Sequence, residues 1–286
     1  MMQYLRKPIF WIISSIVVLF LCLFLFFRIF KVTNYRMAST LLPGDRVWVL
    51  KTRNLHRQDM ILYRNPGYHD LSIRKRELMA SRLVGLPGDT VIVFNKILFI
   101  NRDTVYDPPG VRHEFRVVTD GNVINRDFLK KNTIQKPKLI ADIGIYDLSM
   151  PRALSEPLSK TKGIKTVRET RQFIGDSSID YYPPSPYYMW NRDQFGPLIV
   201  PAKGDTIQIS IKTVDLYRDI IENFEGNEIK VDFRGVFING KLAKHYVFKK
   251  DYYFILDDNR GRPNDSRVIG FIPQDHLYGR ICGVIF

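Results

Sequence analysis

The residues best suited to chemistry are concentrated in three short segments of the chain. Met37–Asp45 reads MASTLLPGD, Arg82–Asp89 reads RLVGLPGD, and Asp257–Gly270 reads DDNRGRPNDSRVIG. They combine hydroxyl, amide and carboxylate groups with arginines. A serine hydroxyl in such a segment becomes a nucleophile only when a nearby base removes its proton, so a serine and its base are the pair to look for.

Other common catalytic patterns are absent from the sequence. It has no glycine-rich phosphate loop and no Gly-x-Ser-x-Gly elbow. Its five histidines are scattered, without the spacing of metal ligands: His56, His69, His113, His245 and His276. Its two cysteines, Cys22 and Cys282, are too few for a disulfide framework. We therefore expect neither a metal nor a cofactor.

Short apolar or alternating runs indicate that β-strands position these segments. The predicted strands are Arg46–Lys51, Met60–Tyr63, Val91–Phe94, Ile97–Ile100, Ile207–Ile211 and Val236–Ile238. Turn residues separate them, and Asn239-Gly240, which follows the last of these runs, is a strong hairpin signal. Asn95-Lys96 predicts a second two-residue turn with weaker chemistry.

A Gly-Asp pair precedes three strand-like runs, with its aspartates at Asp45, Asp89 and Asp205. Two explanations fit this repeat. One is an internal duplication, and the other is that Gly-Asp provides good turn chemistry before any strand. The sequence alone leaves both open.

A long apolar run lies near the N-terminus. Ile9–Phe27 contains 19 residues without a charge, and at about 1.5 Å per residue it nearly matches the hydrocarbon core of a bilayer. A cleavable signal peptide would have a shorter apolar region followed by small residues, whereas the charged stretch 28–31 follows here. We therefore predict one retained transmembrane helix in an anchor over residues 1–31. Basic residues on both sides leave its orientation undetermined by charge.

The chain carries a net charge of +14, and part of this excess lies in its middle. Residues 111–171 hold 13 Lys and Arg against 7 Asp and Glu. We predict an inserted basic region over residues 106–191, between the two parts of a β core at 32–105 and 192–286. Such charge favours an anionic partner: nucleic acid, a membrane surface or an acidic protein. Within the region, Tyr181–Pro186 is typical of an exposed Pro/Tyr segment.

In this order, behind one N-terminal anchor, the three segments resemble the motifs of bacterial signal peptidase I. The resemblance covers the anchor, residues 32–105 and residues 190–286, and the stretch Asn191–Thr206 resembles members with a large insertion. It implies a mainly β, signal-peptidase-like fold: an antiparallel β-sheet core with an inserted region, preceded by one transmembrane helix. It also implies a single-pass protein of the bacterial cytoplasmic membrane, whose soluble part lies on the extracytoplasmic side and removes signal peptides from exported proteins.

The residues that would perform this cleavage are replaced. The family has a Ser nucleophile before the Met of its first motif and a Lys base before the Arg of its second, and these positions are Arg36 and Ser81 here. The oxyanion hydroxyl position is Asn34, and the serine that supports the lysine is Pro263. Arginine is neither a nucleophile nor a base, because its pKa stays above about 12. We therefore expect that no catalytic residue is retained.

The surrounding motif residues are kept, and we expect them to serve mainly as scaffold. They are Met37, Thr40, Leu41, Gly44, Asp45, Arg82, Gly85, Pro87, Gly88, Asp89, Asp258, Asn259, Arg260, Asp265, Ser266 and Arg267. Arg36 is expected to fill the former catalytic groove and to pair with a carboxylate such as Asp258 or Asp265. A displaced pair of Ser39 and Lys75 is an alternative source of activity.

This pattern favours a non-catalytic family member that binds signal peptides, exported pre-proteins, an active signal peptidase or the secretion and processing machinery. Backbone hydrogen bonds along a strand edge suffice to hold an extended peptide. Two alternatives stay open: an active serine endopeptidase with a displaced or altered dyad, and a disabled copy without a role. A nucleic-acid partner is not expected, because the soluble part is predicted to lie outside the cytoplasm.

Overall fold

The computed structural model describes residues 10–18, 25–67, 69–176 and 181–285, and these residues form a mainly β structure. The strands are β1 Phe27–Lys31, β2 Arg46–Leu50, β3 Met60–Arg64, β4 Leu78–Gly85, β5 Thr90–Phe94, β6 Ile97–Ile100, β7 Asp103–Val105, β8 Arg112–Thr119, β9 Lys138–Ala141, β10 Ile145–Pro151, β11 Ile164–Glu169, β12 Gln194–Ile199, β13 Thr206–Gln208, β14 Ile229–Asp232, β15 Gly235–Ile238, β16 Lys241–Leu242, β17 His245–Val247, β18 Tyr252–Leu256, β19 Ile272–Pro273 and β20 Leu277–Ile285.

At the N-terminal end of the described chain, residues 10–18 and 25–26 are helical. Beyond residue 27 the helical segments are short. The other α-helices are Arg126–Lys131, Ser155–Ser159 and Ser266–Ile269, the 3-10 helices are Ile73–Lys75, Arg152–Leu154, Val214–Leu216 and Gln274–His276, and a π-helix covers Ile220–Phe224.

An antiparallel seven-stranded sheet forms the centre of the fold, in the order β1-β2-β20-β3-β4-β18-β19. β4 lies between β3 and β18, and all but the first of its residues are buried. A strand covered on both faces reads as a continuous buried run rather than an alternating one. β4 therefore carries its side chains into two separate buried environments.

A second sheet, β12-β5-β6-β7, packs with the central sheet around the largest apolar cluster. Aromatic residues dominate this cluster, among them Phe195, Phe254 and Phe271. Tyr182 packs edge-on against Phe271 and is only 6 % exposed. The predicted exposure of Tyr181–Pro186 is therefore wrong at its start, because the ring of Tyr182 belongs to the aromatic core and Tyr181 is also buried.

A third sheet, β11-β8-β10-β9, comes from the middle of the chain. β8 alternates buried and accessible residues along most of its length. The buried face of this sheet covers a separate apolar cluster with the helices of the same segment. That cluster contains Phe115, Val117, Ile124, Ile134, Leu148, Met150 and Leu158. The limits of the inserted region at 106 and 191 stay a prediction.

The predicted strands are confirmed to within a residue at most ends, although the one predicted over Ile207–Ile211 ends at Gln208. Both predicted hairpin turns are also confirmed. Asn95-Lys96 and Asn239-Gly240 have positive φ at both positions and connect directly paired strands. Such turns match the twist of the strands that they join.

The three Gly-Asp pairs form the same local turn. In each, the aspartate carboxylate accepts the backbone N–H three residues earlier: Leu42 to Asp45 at 2.7 Å, Leu86 to Asp89 at 2.7 Å and Ala202 to Asp205 at 2.9 Å. In each, the glycine has a positive φ, between 88° and 104°. Turn chemistry therefore accounts for the repeat without an appeal to duplication.

The predicted anchor is described only in part, since Ile9 and residues 19–24 of its apolar run lie outside the described residues. Among the residues that are described, no helix is long and apolar enough to span a membrane. Phe27–Lys31, the last five residues of the predicted anchor, pair with β2 as strand β1, and the ring of Phe27 packs edge-on against Trp48. The anchor boundary at residue 31 stays a prediction.

Candidate functional site

Two neighbouring strands bring the second and third motif segments together. β4 and β18 are antiparallel, with Arg82 opposite Leu256. Continuing this register by one residue places Asp257 opposite Ser81. Because side chains alternate between the faces of a strand, Ser81 and Asp257 share one face. Arg82 and Asp258 share the opposite face.

The predicted base position, Ser81, is buried and hydrogen-bonded to a carboxyl group. Its Oγ donates to Oδ1 of Asp257 at 2.7 Å, and both side chains are fully buried. The second carboxyl oxygen of Asp257, Oδ2, has no hydrogen-bond partner among the described residues. A buried carboxyl group with one unpartnered oxygen favours its neutral form.

Burial raises the pKa of Asp257 to about 7, and the negative charge of Asp265 acts in the same direction. The positive charge of Arg36 opposes this rise, as do the hydrogen bond from Ser81 and the charge of Arg267. Near neutral pH this carboxyl group therefore holds its proton more readily than an ordinary aspartate does. A carboxylate at this distance from a serine hydroxyl has the geometry of a general base.

The predicted nucleophile position, Arg36, lies on the same face as this pair. Its Nη1 donates to the backbone oxygen of Asn264 at 2.9 Å and to Oη of Tyr63 at 3.4 Å, and it lies 3.8 Å from Sδ of Met79. Asn34, the predicted oxyanion position, accepts the backbone N–H of Arg36 at 3.2 Å. The half-buried guanidinium is therefore directed inward, towards β3, β4 and the third motif.

The predicted pairing of Arg36 with Asp258 or Asp265 is wrong. Asp258 points to the opposite face and forms its ion pair with Arg82, at 2.6 Å. Asp265 forms its ion pair with Arg267, at 2.7 Å. Both carboxylates already have arginine partners, so Arg36 binds a backbone carbonyl and a phenol instead.

Arg82 and Asp258 form a bidentate ion pair in which both side chains are buried. Nε donates to Oδ1 at 2.7 Å and Nη2 donates to Oδ2 at 2.6 Å. Oγ1 of Thr40 donates to the same Oδ2 at 2.5 Å. The ion pair therefore joins all three motif segments, and its hydrogen bonds offset the hydration that both charges lose.

Asp265 directly precedes the helix Ser266–Ile269. Its carboxylate binds Arg267 in this helix and the backbone of Asp257, the residue that follows β18. Its Oδ1 accepts N and Nε of Arg267 at 3.1 and 3.0 Å, and its Oδ2 accepts the backbone N–H of Asp257 at 2.9 Å. Burial alone would raise the pKa of Asp265, but Arg267 outweighs burial and the pKa falls below its usual range. Oγ of Ser266 accepts a backbone N–H of β18 at 2.9 Å, which fixes the helix to that strand.

Asn259 and Arg260 connect the first motif to the third sheet. The backbone N–H of Asn259 donates to the carbonyl of Arg36 at 2.9 Å, and Oδ1 of Asn259 accepts Oγ–H of Ser149 at 2.6 Å. The backbone N–H of Arg260 donates to the carbonyl of Arg112 at 2.9 Å. The loop after β18 is therefore held between the central sheet and the third sheet.

The alternative pair of Ser39 and Lys75 is not formed. Oγ of Ser39 accepts Nε–H of Arg112 at 2.7 Å. Lys75 is exposed in the 3-10 turn Ile73–Lys75. The structure gives Ser39 an arginine as its partner, and arginine does not act as a base.

The remaining motif residues lie in the core or in turns. Met37 and Leu41 pack in an apolar cluster beneath the first motif. The two Leu-Pro-Gly-Asp turns contain Gly44, Asp45, Pro87, Gly88 and Asp89. Gly85 lies where β4 and β18 approach closely, since a Cβ there would lie 2.8 Å from Cβ of Phe254.

Sequence reasoning alone does not identify Asp257 or Tyr63 as part of the site. Asp257 directly precedes the matching Asp258, and two successive carboxylates beside a strand must point to opposite faces. This alternation could have shown that Asp257 faces Ser81 when Asp258 faces Arg82. Tyr63 lies in a predicted strand, and no sequence pattern distinguishes it from the other aromatic residues of the core.

Comparisons with known proteins give consistent sequence matches. The family model described as signal peptidase, peptidase S26, matches residues 5–177 and 199–286. Signal peptidase I U of Bacillus subtilis (strain 168) is 26% identical over 176 residues, which cover 60% of this chain and 84% of that protein. Signal peptidase I V of the same organism is 26% identical over 154 residues, which cover 49% of this chain and 86% of that protein.

A solved structure of a signal peptidase I from Enterococcus faecalis V583 gives a weaker match. It is 16% identical, covers 80% of this chain and 97% of that chain, and superimposes with a TM-score of 0.29. Such a score reflects poor overall superposition. The relationship therefore rests on the sequence matches.

Proposed function

This chain belongs to the signal peptidase family, peptidase S26, and from this premise we propose that it is a non-catalytic member of that family. It binds signal peptides or exported pre-proteins, or it associates with an active signal peptidase or the secretion machinery. The observation that carries this proposal is the set of contacts made at the two reacting positions. The nucleophile position holds an arginine and the base position holds a serine, so the serine–lysine pair of the family is absent.

The contacts of Arg36 support the proposal at the nucleophile position. Its guanidinium stays protonated at any physiological pH, and it binds Asn264 and Tyr63 rather than an open groove. A charged group held in this way closes the space between β3, β4 and the third motif. It also supplies no hydroxyl for acyl transfer.

The contacts of Ser81 support the proposal at the base position. A neutral lysine amine accepts a proton from serine, whereas the hydroxyl of Ser81 is itself a donor, to Asp257. The intact ion pairs of Asp258 and Asp265 meanwhile keep the motif loops in place. The chain thus combines a preserved scaffold with changed reacting positions, which suits binding better than cleavage.

Cross-linking beside Arg36 tests the binding role. Tyr35 is 49 % exposed and precedes Arg36 directly, so a photo-reactive amino acid at Tyr35 should capture a signal-peptide-bearing pre-protein in intact membranes. The same probe at Phe233, an exposed aromatic position in the turn between β14 and β15, is the control. Equal capture of pre-protein at both positions, or none at either, would contradict the binding of pre-proteins beside Arg36.

A cleavage assay tests the absence of catalysis. The purified full chain in detergent should leave a pre-protein uncut under conditions in which an active signal peptidase processes it. Specific cleavage that is lost in Ser81→Ala or Ser39→Ala would overturn the non-catalytic assignment. Ser210→Ala, which changes an exposed serine, is the matched control.

The second candidate function is an active serine endopeptidase with an altered dyad, and one observation favours it. Oγ of Ser81 lies 2.7 Å from a carboxyl group whose pKa is about 7. If Asp257 acts as the base, cleavage must rise with pH through about 7, because only the ionised carboxylate accepts a proton. Loss of this rise in Asp257→Asn would support the second candidate, whereas absence of cleavage at every pH supports the first.

Restoring the family's reacting residues tests whether the scaffold is intact. Arg36→Ser with Ser81→Lys should recover only weak cleavage, because a lysine opposite Asp257 would be held in its protonated form by the carboxylate. Adding Asp257→Asn should raise that activity, since it removes the negative charge. No gain from the third substitution would show that Asp257 does not control position 81.

We also propose that the chain is anchored by residues 9–27 in the cytoplasmic membrane with its β structure on the extracytoplasmic side. Cys282 is free and exposed, so it can report the side on which the β structure lies. In a Cys22→Ser background, a membrane-impermeant maleimide should label Cys282 in intact spheroplasts. Labelling only after lysis would place the β structure in the cytoplasm.

A further inference from the structure

A cavity in the third sheet region lies far along the chain from the motif residues. It has a volume of about 580 Å³, within the range of about 300–1,000 Å³ that is usual for ligand sites. Its lining residues are Val123, Ile124, Arg126, Leu129, Lys130, Ile134, Lys136, Pro137, Leu139 and Tyr146. Nothing in the signal-peptidase motifs accounts for it.

The floor of this cavity is apolar and already packed. Ile124 and Ile134 are at most 7 % exposed and belong to the apolar cluster of the third sheet. Leu139 and Tyr146 are cross-strand neighbours on β9 and β10, and both line the cavity. The cavity is therefore an open depression on the surface of a well-packed core rather than a packing defect inside that core.

The charged residues of the lining are all positive. Arg126, Lys130 and Lys136 are exposed, and no described carboxylate lies within 4.0 Å of their charged groups. The lining contains no acidic side chain. An apolar floor with an unpaired cationic rim is complementary to an apolar chain that ends in an anion.

We propose that this cavity binds an acyl chain of an anionic phospholipid at the membrane surface. An acyl chain brings no polar group onto the apolar floor, whereas a peptide would bring backbone groups that need hydrogen-bond partners there. The phosphate then meets the basic rim. Val123 and Leu139, which are 71 % and 48 % exposed at the mouth, favour a lipid surface over a dissolved fatty acid, because a bilayer also covers apolar groups outside the cavity.

Photo-labelling in vesicles tests this proposal. The full chain is reconstituted with phosphatidylglycerol or phosphatidylcholine that carries a diazirine in one acyl chain, and labelled peptides are mapped by mass spectrometry. The position of labelling is the readout, because residues 9–27 are expected to contact lipid in any case. Phosphatidylglycerol should label the stretch 123–146 more strongly than phosphatidylcholine does.

Two variants separate charge from shape. Arg126→Gln with Lys130→Gln and Lys136→Gln should lower labelling of this stretch by up to about a hundredfold, since each basic residue contributes about a fivefold factor to attraction by an anionic leaflet. Leu139→Trp should also lower it, by filling the cavity from an exposed strand position.

The charge control removes three other exposed cations from the same region, with Lys162→Gln, Lys165→Gln and Arg168→Gln. Labelling of residues 123–146 should stay near the parent level in this variant. Equal labelling by both phospholipids, or an equal loss in the control, would overturn the proposal. Labelling by a diazirine fatty acid in detergent, with none by phospholipid in vesicles, would overturn it as well.

Discussion

The buried carboxyl group of Asp257 should make the stability of this protein depend on pH in an unusual direction. Its pKa is about 7 in the folded chain, against 3.8 for an unperturbed aspartate. Between these values the unfolded chain has released the proton and the folded chain retains it. Stability therefore falls as pH rises through this window and is unaffected by this group below it.

The size of the effect follows from the two pKa values. Full ionisation of Asp257 costs about 4 kcal/mol of unfolding free energy, and about 3 kcal/mol of this develops between about pH 5 and about pH 8. Asp257→Asn removes the titration and keeps an oxygen that can accept the hydrogen bond from Ser81. The stability of this variant relative to the parent chain should therefore rise by about 3 kcal/mol over that range.

Urea unfolding of the full chain in a non-ionic detergent measures this difference, with tryptophan fluorescence as the signal and linear extrapolation to water. Asp70→Asn, at an exposed position, controls for the loss of an acidic side chain as such. If the difference between Asp257→Asn and the parent chain is the same at both ends of the range, Asp257 does not titrate there. That result would refute the conclusion that burial raises the pKa of Asp257 to about 7.

Three further substitutions test the packing around the site. Arg82→Met should lower the unfolding free energy by about 3–5 kcal/mol in urea unfolding, because it leaves the buried carboxylate of Asp258 unpaired. Gly85→Ala should cost about 1–3 kcal/mol in the same assay, because its Cβ would meet atoms of two side chains at 2.8 and 2.9 Å; Gly283→Ala, with no atom within 4 Å, should cost less. Leu148→Ala should cost about 2–5 kcal/mol and should raise hydrogen exchange chiefly within the third sheet, whose core this leucine fills.

Local chemistry explains the parts of the fold that could be predicted from the sequence. The turn at Asn95-Lys96 follows from residues that tolerate positive φ between two apolar runs. The turns at Asp45, Asp89 and Asp205 follow from a glycine beside a carboxylate that reaches back three residues. Each of these features is complete within a few residues, so the sequence contains all the information that it needs.

The contacts of the site could not be predicted in this way, because they depend on register between distant segments. Ser81 and Asp257 meet only because β4 and β18 pair with one register, and a shift of one residue would separate them. The positive charge of Arg36 predicts a carboxylate as its partner. In the structure Asp258 already has Arg82 as its partner, and competition of this kind cannot be read from spacing.

The attachment of the third sheet to the loop after β18 limits how this chain can change in evolution. Arg112, the first residue of β8, donates its backbone N–H to the carbonyl of Asp258 and its Nε–H to Ser39. Removing the segment would take these donors from the carbonyl of Asp258 and from Ser39, which costs stability where the acceptor is buried. We therefore expect a change in length at the hairpin between β9 and β10 to destabilise the chain less than one beside Arg112. The third sheet therefore supports the loop after β18 and the first motif from one side, and deletion of this sheet should destabilise both.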